Sequence, residues 1–231
     1  MIRPALRRAG YDVTRFPVPG SLWETLGRVF RQERVALVVD VGAHKGEYGA
    51  FLREHGYRGA IRSFEPVPSS ADEAVRRASS DPGWTVERRA IAAARGTLPI
   101  RVARASNLSS FRAPTPAGHA RFGAGLDEHD VIEVEVVPLA DVVDAVGAPA
   151  FLKADTQGFD LEVVRGAGAA LGRFVGVQVE LDIEPMYAGA PGLVDGLAEL
   201  AALGFVPAGF WPVARGKRGE LLQLDVVLVR K

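Results

Sequence analysis

The chain has 231 residues, 48% of them hydrophobic, with no cysteine and a formal net charge of zero from 28 basic and 28 acidic side chains. This length and composition fit one α/β domain with a sizeable core, and they argue against disorder. The balanced charge excludes an overall basic field for nucleic acid, and the lack of cysteine excludes disulfides, thiolate metal sites and cysteine nucleophiles.

Residues 1–34 predict an N-terminal helical segment. The stretch MIRPALRRAGYDVTRF is basic but lacks the continuous apolar core of a signal peptide, so we interpret it as an amphipathic first helix. A second helix over 21–33 begins at Ser21, with Glu24 three positions later, which is a capping-box pattern. No apolar stretch approaches the length of a membrane span. We therefore expect a cytoplasmic protein.

From residue 35 onward, strand and helix patterns alternate, which predicts a single α/β domain over 35–231 with parallel βαβ units. A short basic turn joins the last two strands, so the final strand is expected to run antiparallel to the others. The sequence thus predicts a mostly parallel seven-stranded sheet. The predicted strands cover residues 35–41, 60–66, 84–93, 149–156, 174–181, 205–213 and 220–230. The predicted helices between them cover 47–56, 69–79, 159–171 and 192–204.

A small β insertion over about residues 97–138 interrupts this alternation. Residues 97–103 and 131–139 alternate strictly between apolar and polar types, as half-exposed antiparallel strands do. The intervening loop, 104–130, is too long for a simple connector. Loops of this length are usually functional or mobile.

The turn after the first predicted strand, in VVDVGAHKGEYG (38–49), indicates which cofactor the sheet binds. Its glycines are spaced G-x-x-x-G, which matches neither the dinucleotide fingerprint nor the P-loop. Asp40 ends the strand and would repel a phosphate, whereas it suits a ligand with a positive centre such as a sulfonium. This pattern favours S-adenosylmethionine (SAM) over a dinucleotide.

A second carboxylate, Glu65, ends the next predicted strand in the segment SFEP. An acid at this position can accept hydrogen bonds from both ribose hydroxyls. Folds that bind NAD place an acid there as well, so Glu65 does not discriminate between the two cofactors. Solvated strand-end caps are the alternative interpretation of Asp40 and Glu65.

Several segments, in this order, resemble the FkbM-type family of SAM-dependent methyltransferases: VVDVGAHKGEYG, SFEP, ERRAIAA, SNLSSF, FLKADTQGFDLEVVRGA and QVELD. The similarity runs from about residue 35 to the C-terminus and is most specific at 38–49 and 151–167. Where the family often has Asp-Val-Glu-Gly or Asp-Val-Gln-Gly, this chain has Asp-Thr-Gln-Gly at 155–158. The resemblance implies a class I methyltransferase fold, which is Rossmann-like, and methylation of hydroxyl groups on saccharides or natural products.

The resemblance also implies site residues. Those implied to contact SAM are Asp40, Gly42, Ala43 and Gly46 at the methionine end, Glu65 at the ribose, Ala90 and Ile91 at the adenine, and Asp155 and Gln157 at the methyl group. Those implied to contact substrate are Asn107, Ser109 and Ser110. Strand packing is the alternative for Ala90 and Ile91, and ordinary turn chemistry is the alternative for the polar insertion residues.

An alcohol is a poor nucleophile until its proton is removed, so the expected reaction needs a general base or a metal-bound alkoxide. Asp155 is the candidate base, with Glu180 and Asp182 at the end of the fifth strand as neighbours. The three carboxylates could instead bind Mg²⁺, or the last two could cap the strand or pair with arginines. His44, in the glycine turn, could donate to the cofactor or the substrate.

Three functions remain open from the sequence. The first is a SAM-dependent O-methyltransferase with a small hydroxylated acceptor. The second, an NAD(P)-dependent oxidoreductase, lacks the G-x-G-x-x-G fingerprint and an obvious Tyr-x-x-x-Lys pair. The third is a domain that binds SAM without catalysis. A nucleic-acid acceptor is disfavoured by the zero net charge, and a homo-oligomer is compatible with the sequence.

Overall fold

A computed structural model of the chain describes residues 2–11, 13, 16–143 and 149–231. The predicted N-terminal helix therefore falls partly outside the described residues. Among the residues described, no helix combines the length and the apolar character needed to cross a bilayer.

Within the residues that the structure describes, ten strands and eight α-helices follow one another. The strands are β1 Leu37–Val41, β2 Ala60–Phe64, β3 Trp84–Glu87, β4 Ala90–Ala92, β5 Gly96–Ala103, β6 Glu128–Pro138, β7 Ala150–Ala154, β8 Phe174–Asp182, β9 Phe205–Arg215 and β10 Leu221–Arg230. The helices are α1 Ile2–Arg8, α2 Leu22–Gln32, α3 Glu47–Glu54, α4 Pro68–Ala78, α5 Pro116–Phe122, α6 Leu139–Val143, α7 Asp160–Arg165 and α8 Leu193–Ala202. Short 3₁₀ turns occur at Ser106–Leu108, Gly123–Leu126 and Gly168–Arg173.

The main sheet has seven strands in the order β3-β2-β1-β7-β8-β10-β9. The first five strands in this order, β3, β2, β1, β7 and β8, pair in parallel, and β10 pairs antiparallel with both β8 and β9. This confirms the predicted fold class, a mostly parallel sheet with an antiparallel last strand. The chain leaves β1 toward β2 and later returns on its other side as β7. Ligands of open α/β sheets bind at the carboxyl ends of strands beside such a reversal.

The predicted strand over 84–93 is two strands in two different sheets, so the prediction of one strand is wrong. β3 is an edge strand of the main sheet, whereas β4 pairs parallel with β6 in a second sheet of order β4-β6-β5. All three residues of β4 are buried: Ala90 and Ala92 pack in one cluster with Val136, and Ile91 packs in the main core. Since strand-forming residues run through the whole segment, only the pairing with β6 reveals the break.

The insertion has the predicted antiparallel pair, because β5 pairs with β6 from Gly96 to Ala103. The loop between them contains α5 and two of the 3₁₀ turns. Together with β4, this pair forms the small sheet beside the carboxyl edge of the main sheet.

The predicted helix over 159–171 is shorter than expected. α7 ends at Arg165, and a 3₁₀ turn begins at Gly168, whose φ of +49° does not continue an α-helix. A Cβ atom on Gly166 would lie 2.2 Å from the carbonyl oxygen of Ala92. The close packing of this helix end against β4 therefore requires glycine, and the helix ends there.

The second helix, α2, begins as the capping box predicts. The hydroxyl of Ser21 accepts a hydrogen bond from the backbone N–H of Glu24, at 3.2 Å. Its buried side chains, among them Leu26 and Phe30, pack with Phe151 of β7 on one face of the main sheet. A second and larger core cluster contains Val39 of β1 and Leu152 of β7. The strands β1 and β7 are thus covered on both faces, as their continuous apolar runs predict.

Candidate active site

Two adjoining cavities open at the carboxyl edge of the main sheet. The narrow cavity lies between the sheet and the insertion, and its walls include Gly42, Glu65, Ala90, Ile91, Ser109 and Phe111. The wide cavity has a volume of about 750 Å³, and the polar side chains in its walls include Tyr48, Lys153, Gln178, Glu180, Gln223 and Asp225. Five residues line both cavities: Gly42, His44, Asn107, Asp155 and Gln157.

The glycine turn after β1 is shaped by its contact with the turn after β7. Gly42 has φ of +76°, and a Cβ atom there would lie 1.9 Å from the carbonyl oxygen of Asp155. No side chain fits at this position, so the first glycine of the motif is required by the neighbouring backbone. His44, two residues on, also has a positive φ, of +48°.

Glu65 follows β2 and lines the narrow cavity, as the sequence predicts for a ribose ligand. Its two carboxylate oxygens accept hydrogen bonds from the backbone N–H groups of His44 and Val67, both at 2.8 Å. The side chain is only 6% exposed, and this burial raises the pKa of Glu65 to about 7, although both backbone hydrogen bonds oppose the rise. The carboxylate is therefore fixed in position while retaining lone pairs for a hydroxyl donor.

Asp40 and Gly46, two of the residues predicted at the methionine end, line neither cavity. Asp40 is fully buried, and its Oδ2 accepts a hydrogen bond from the Ser63 hydroxyl at 2.9 Å. Its Oδ1 lies 3.5 Å from Nζ of Lys153. The positive charge beside Asp40 is thus an ammonium group of the protein. Ala43, predicted with these two, lines the wide cavity.

Lys153, which the sequence analysis missed, lies in the middle of β7 and is 6% exposed. Burial opposes its charge, yet the carboxylates of Asp155 and Asp40 hold the pKa of Lys153 above its ordinary value. Its ammonium lies 5.4 Å from the ring centroid of Tyr48, whose hydroxyl donates to Gln178 at 2.9 Å. A lysine inside the otherwise apolar strand PAFLKA was the signal that could have revealed it.

Gln157 joins the carboxylates where the cavities meet. Its amide Nε2 donates to Asp155 at 2.9 Å and to Glu180 at 3.2 Å. Its Oε1 accepts from the buried hydroxyl of Tyr187 at 3.0 Å, and its backbone has a positive φ of +54°. The network holds Asp155 and Glu180 at one place, as the sequence predicts.

Glu180 differs from Asp155 in its surroundings. Its Oε1 also accepts from Gln223 at 2.8 Å. Burial raises the pKa of Glu180 well above its ordinary value, and the nearby carboxylates add to the rise, Asp155 foremost. Gln223 and Asp225 reach this region from β10, and the sequence analysis did not consider them. The antiparallel direction of β10 brings the first half of the strand to the carboxyl edge of the sheet.

The three carboxylates predicted as a Mg²⁺ site do not fit one. Within the part of the chain that the structure describes, no three side chains of metal-binding type form a group that could hold a metal ion. Asp182 instead accepts a hydrogen bond from the backbone N–H of Met186 at 2.9 Å and another from Gln223 at 3.0 Å. We therefore assign no step to a metal ion.

The predicted substrate residues Asn107, Ser109 and Ser110 all line the narrow cavity, and Asn107 alone of the three also lines the wide one. The hydroxyl of Ser110 donates to the backbone carbonyl of Gln157 at 2.7 Å. The hydroxyl of Ser109 donates to the carbonyl of Ser106 at 2.8 Å. Ser110 thus holds the insertion against the site, whereas Ser109 bonds within the insertion.

His44 connects the glycine turn to the insertion. Its Nε2 lies 2.8 Å from the hydroxyl of Ser106, and its Nδ1 lies 3.3 Å from a carboxylate oxygen of Glu47. Both ring nitrogens therefore have partners in the protein.

A family model described as the FkbM methyltransferase domain matches residues 40–207, more than two thirds of the chain. No curated protein sequence matches this chain.

Similar backbones occur among solved structures. An rRNA methylase from Streptococcus thermophilus is 11% identical with a TM-score of 0.48, over 94% of this chain and 99% of that one. A magnesium protoporphyrin IX methyltransferase from Synechocystis PCC 6803 with bound SAM is 11% identical with a TM-score of 0.49, over 100% and 95% of the two chains. Fibrillarin from Aeropyrum pernix with bound SAM is 11% identical with a TM-score of 0.47, over 90% and 76%. At 11% sequence identity, these structures indicate no acceptor for this chain.

Proposed function

Because the chain belongs to the FkbM family of SAM-dependent methyltransferases, we propose that it methylates a hydroxyl group of a saccharide or another small natural product. The observation that carries this proposal is the junction of the two cavities at Asp155 and Gln157. A methyl donor in one cavity and an acceptor in the other would meet there.

The walls of the narrow cavity carry groups that suit the ribose and the adenine of SAM. Glu65 would accept hydrogen bonds from the ribose hydroxyls, and the buried side chains of Ala90 and Ile91 would contact the adenine. Gly42 packs against the backbone of Asp155, and this contact holds the turns after β1 and β7 together beside the cavity. When bound, SAM supplies a methyl group on a sulfonium, which is electrophilic without a metal ion.

The wide cavity suits a polyhydroxylated acceptor, because its polar walls offer both donors and acceptors. Gln178 and Gln223 carry amides, Tyr48 a hydroxyl, and Glu180 and Asp225 carboxylates. Side chains of these types recognise hydroxyl groups by hydrogen bonding, and a site built in this way discriminates against analogues that lack a hydroxyl.

Glu180 is the general base in this proposal, and Asp155 orients the acceptor. An effective base has a pKa near the working pH, and burial raises the pKa of Glu180 in that direction. Asp155 instead forms an ion pair with the ammonium of Lys153, at 3.5 Å. The sequence pattern predicts Asp155 as the general base, whereas this proposal assigns that role to Glu180.

Calorimetric titration with S-adenosylhomocysteine (SAH) tests the cofactor, with NADH and NADPH as controls. We expect micromolar binding of SAH alone and at least tenfold weaker binding in Glu65→Gln, because a hydrogen bond to a charged group contributes about 1.5–3 kcal/mol. Glu133→Gln, on the exposed side of β6, is the matched control and should bind as the wild type does.

The acceptor is tested by methyl transfer from radiolabelled SAM to a panel of saccharides, with ribosomal RNA and transfer RNA added separately. Labelled saccharide is the expected product. Binding of a dinucleotide without SAH, or labelling of RNA alone, would contradict the proposal.

A further inference from the structure

Lys153 is a charged residue in the middle of a strand that is covered on both faces. The strand register explains its neighbours, because Asp40 of β1 lies directly beside it on one side and Gln178 of β8 on the other. Ser63 of β2 lies beside Asp40 in turn. Four adjacent parallel strands thus present one row of polar side chains on the same face of the sheet.

The ammonium of Lys153 has three hydrogens and three oxygen neighbours. Nζ lies 3.5 Å from Oδ1 of Asp40, 3.5 Å from Oδ2 of Asp155 and 3.4 Å from the carbonyl oxygen of Gly42. One side chain therefore connects the end of β1, the glycine turn and the acid after β7.

Stability alone is a weak reason for this arrangement. A buried lysine–carboxylate pair loses hydration energy, and well-packed apolar residues of similar volume often stabilise a core equally well. A further partner of the ammonium, Asp155, distinguishes the Lys153–Asp40 pair from a purely structural ion pair. Asp155 is one-third exposed, and it lies where the two cavities meet.

Resting on the proposed function, we infer that Lys153 is a positioning residue whose ammonium holds the carboxylate of Asp155 at the junction of the two cavities by an ion pair. Asp40 serves as the second carboxylate that fixes the ammonium, with Ser63 and the indole of Trp84 behind it. The indole Nε1 donates to the Ser63 hydroxyl at 3.0 Å, and that hydroxyl donates to Asp40. In this arrangement, the acid of the glycine-turn motif acts on the acceptor side through Lys153 rather than by contacting the sulfonium.

The other ionisable groups around Asp155 explain why a cation is needed there. They are Asp40, Asp160, Glu180, Tyr187 and Asp225, on five different parts of the fold. Each of these is acidic. Without Lys153, none of these groups would attract the Asp155 carboxylate, and the hydrogen bond from Gln157 would remain.

The test compares Asp40→Asn with the double variant Asp40→Asn/Lys153→Met. Asparagine retains an acceptor for Ser63, and the single variant keeps the ammonium beside Asp155. The double variant removes the ammonium without leaving a buried, unpaired charge on Asp40. Lys153→Met alone would leave that charge unpaired, so a failure of this single variant to fold would not test the role of Lys153 toward Asp155. Thermal melting verifies that both variants fold.

The first readout requires no acceptor. Aspartate labelled with ¹³C at the carboxyl carbon is incorporated into both variants, Asp155→Asn assigns the resonance, and the pH is varied from 4 to 9 with SAH present. We expect the titration midpoint of Asp155 to be higher by at least one pH unit in the double variant, a tenfold change in its proton affinity. SAH affinity should stay within threefold of the wild type in both variants.

The second readout is methyl transfer to the best saccharide of the panel. We expect at least a hundredfold lower kcat in the double variant at pH 7, partly restored at pH 9, with little change in the KM for SAM. An unmoved Asp155 midpoint would overturn the inference, and so would a tenfold loss of SAM affinity in Asp40→Asn. Failure of SAH to bind the wild type would instead contradict the proposed function.

Discussion

Glu180 and Asp155 lie at the ends of neighbouring strands and share a hydrogen-bond donor in Gln157. Their environments nevertheless differ, because Asp155 is beside an ammonium and Glu180 is surrounded by acids. Neighbouring carboxyl groups in environments as different as these commonly divide the acid and base roles of a reaction.

We predict that Glu180→Gln lowers kcat by about 10²- to 10⁴-fold, the usual contribution of a general base. SAH affinity should remain within threefold, because Glu180 does not line the narrow cavity. In the wild type, activity should increase with pH as Glu180 loses its proton. Because the pKa of Glu180 is raised, this increase should occur at a higher pH than that at which an exposed glutamate titrates.

The matched control for this variant is Glu184→Gln, four residues further along the chain and exposed. It should leave both kcat and the pH profile unchanged. A Glu180→Gln enzyme with more than a third of wild-type activity would show that another group removes the proton.

At the scale of elements, helix α3 approaches β3 unusually closely just after the glycine turn. A Cβ atom on Gly49, within α3, would lie 2.2 Å from the ring of Trp84. That ring is buried and hydrogen-bonded to Ser63, so it cannot move away freely. The position of α3, and with it the turn that begins the site, depends on this glycine.

Gly49→Ala should therefore destabilise the protein by about 1–3 kcal/mol, the usual cost of overpacking a core. Intrinsic helix propensity alone predicts the opposite sign, a gain of about 0.5–1 kcal/mol for alanine over glycine. Urea unfolding measures the difference.

Gly27→Ala in α2 is the paired control. There the nearest atom to an added Cβ is the flexible end of Arg31, at 3.2 Å, so we expect no loss of stability. Equal effects of the two substitutions would contradict the close packing of α3 on Trp84.

At the scale of the whole molecule, several carboxyl groups at the sheet edge have raised pKa values because they are buried. Burial raises the pKa of Asp160 to about 8 and that of Glu65 to about 7. A carboxyl whose pKa is raised on folding binds its proton more tightly in the folded state. Its contribution to stability is therefore greatest at low pH and is lost as the pH rises through the folded-state pKa.

We predict that the melting temperature of the ligand-free protein decreases between pH 5 and pH 8. Asp160→Asn should reduce this decrease, because the amide cannot ionise and can still accept the hydrogen bond from the Thr156 N–H. Asp127→Asn, at an exposed position, should leave the pH dependence unchanged. Melting curves that are independent of pH in the wild type would refute this account.

Much of the architecture follows from local sequence patterns. The strand and helix periods located the main sheet and the insertion, because burial on one or two faces imposes a repeat on neighbouring residues. The short turn before the last strand indicated its antiparallel direction. Gly42 and Glu65 were predicted as site residues from similarly local patterns, since each directly follows a buried strand. The sequence by itself thus determined the fold class, the family and the edge of the sheet that carries the site.

The tertiary structure decided which groups meet across strands. The pairing of Asp40 with Lys153, the arrival of Gln223 and Asp225 from β10, and the division of 84–93 between two sheets all depend on strand order and register. Those are properties of residues that are distant in the chain. A local pattern shows that a side chain is buried or that a strand ends, but the neighbour across the sheet, which sets its charge and its role, is specified only when the strands pair.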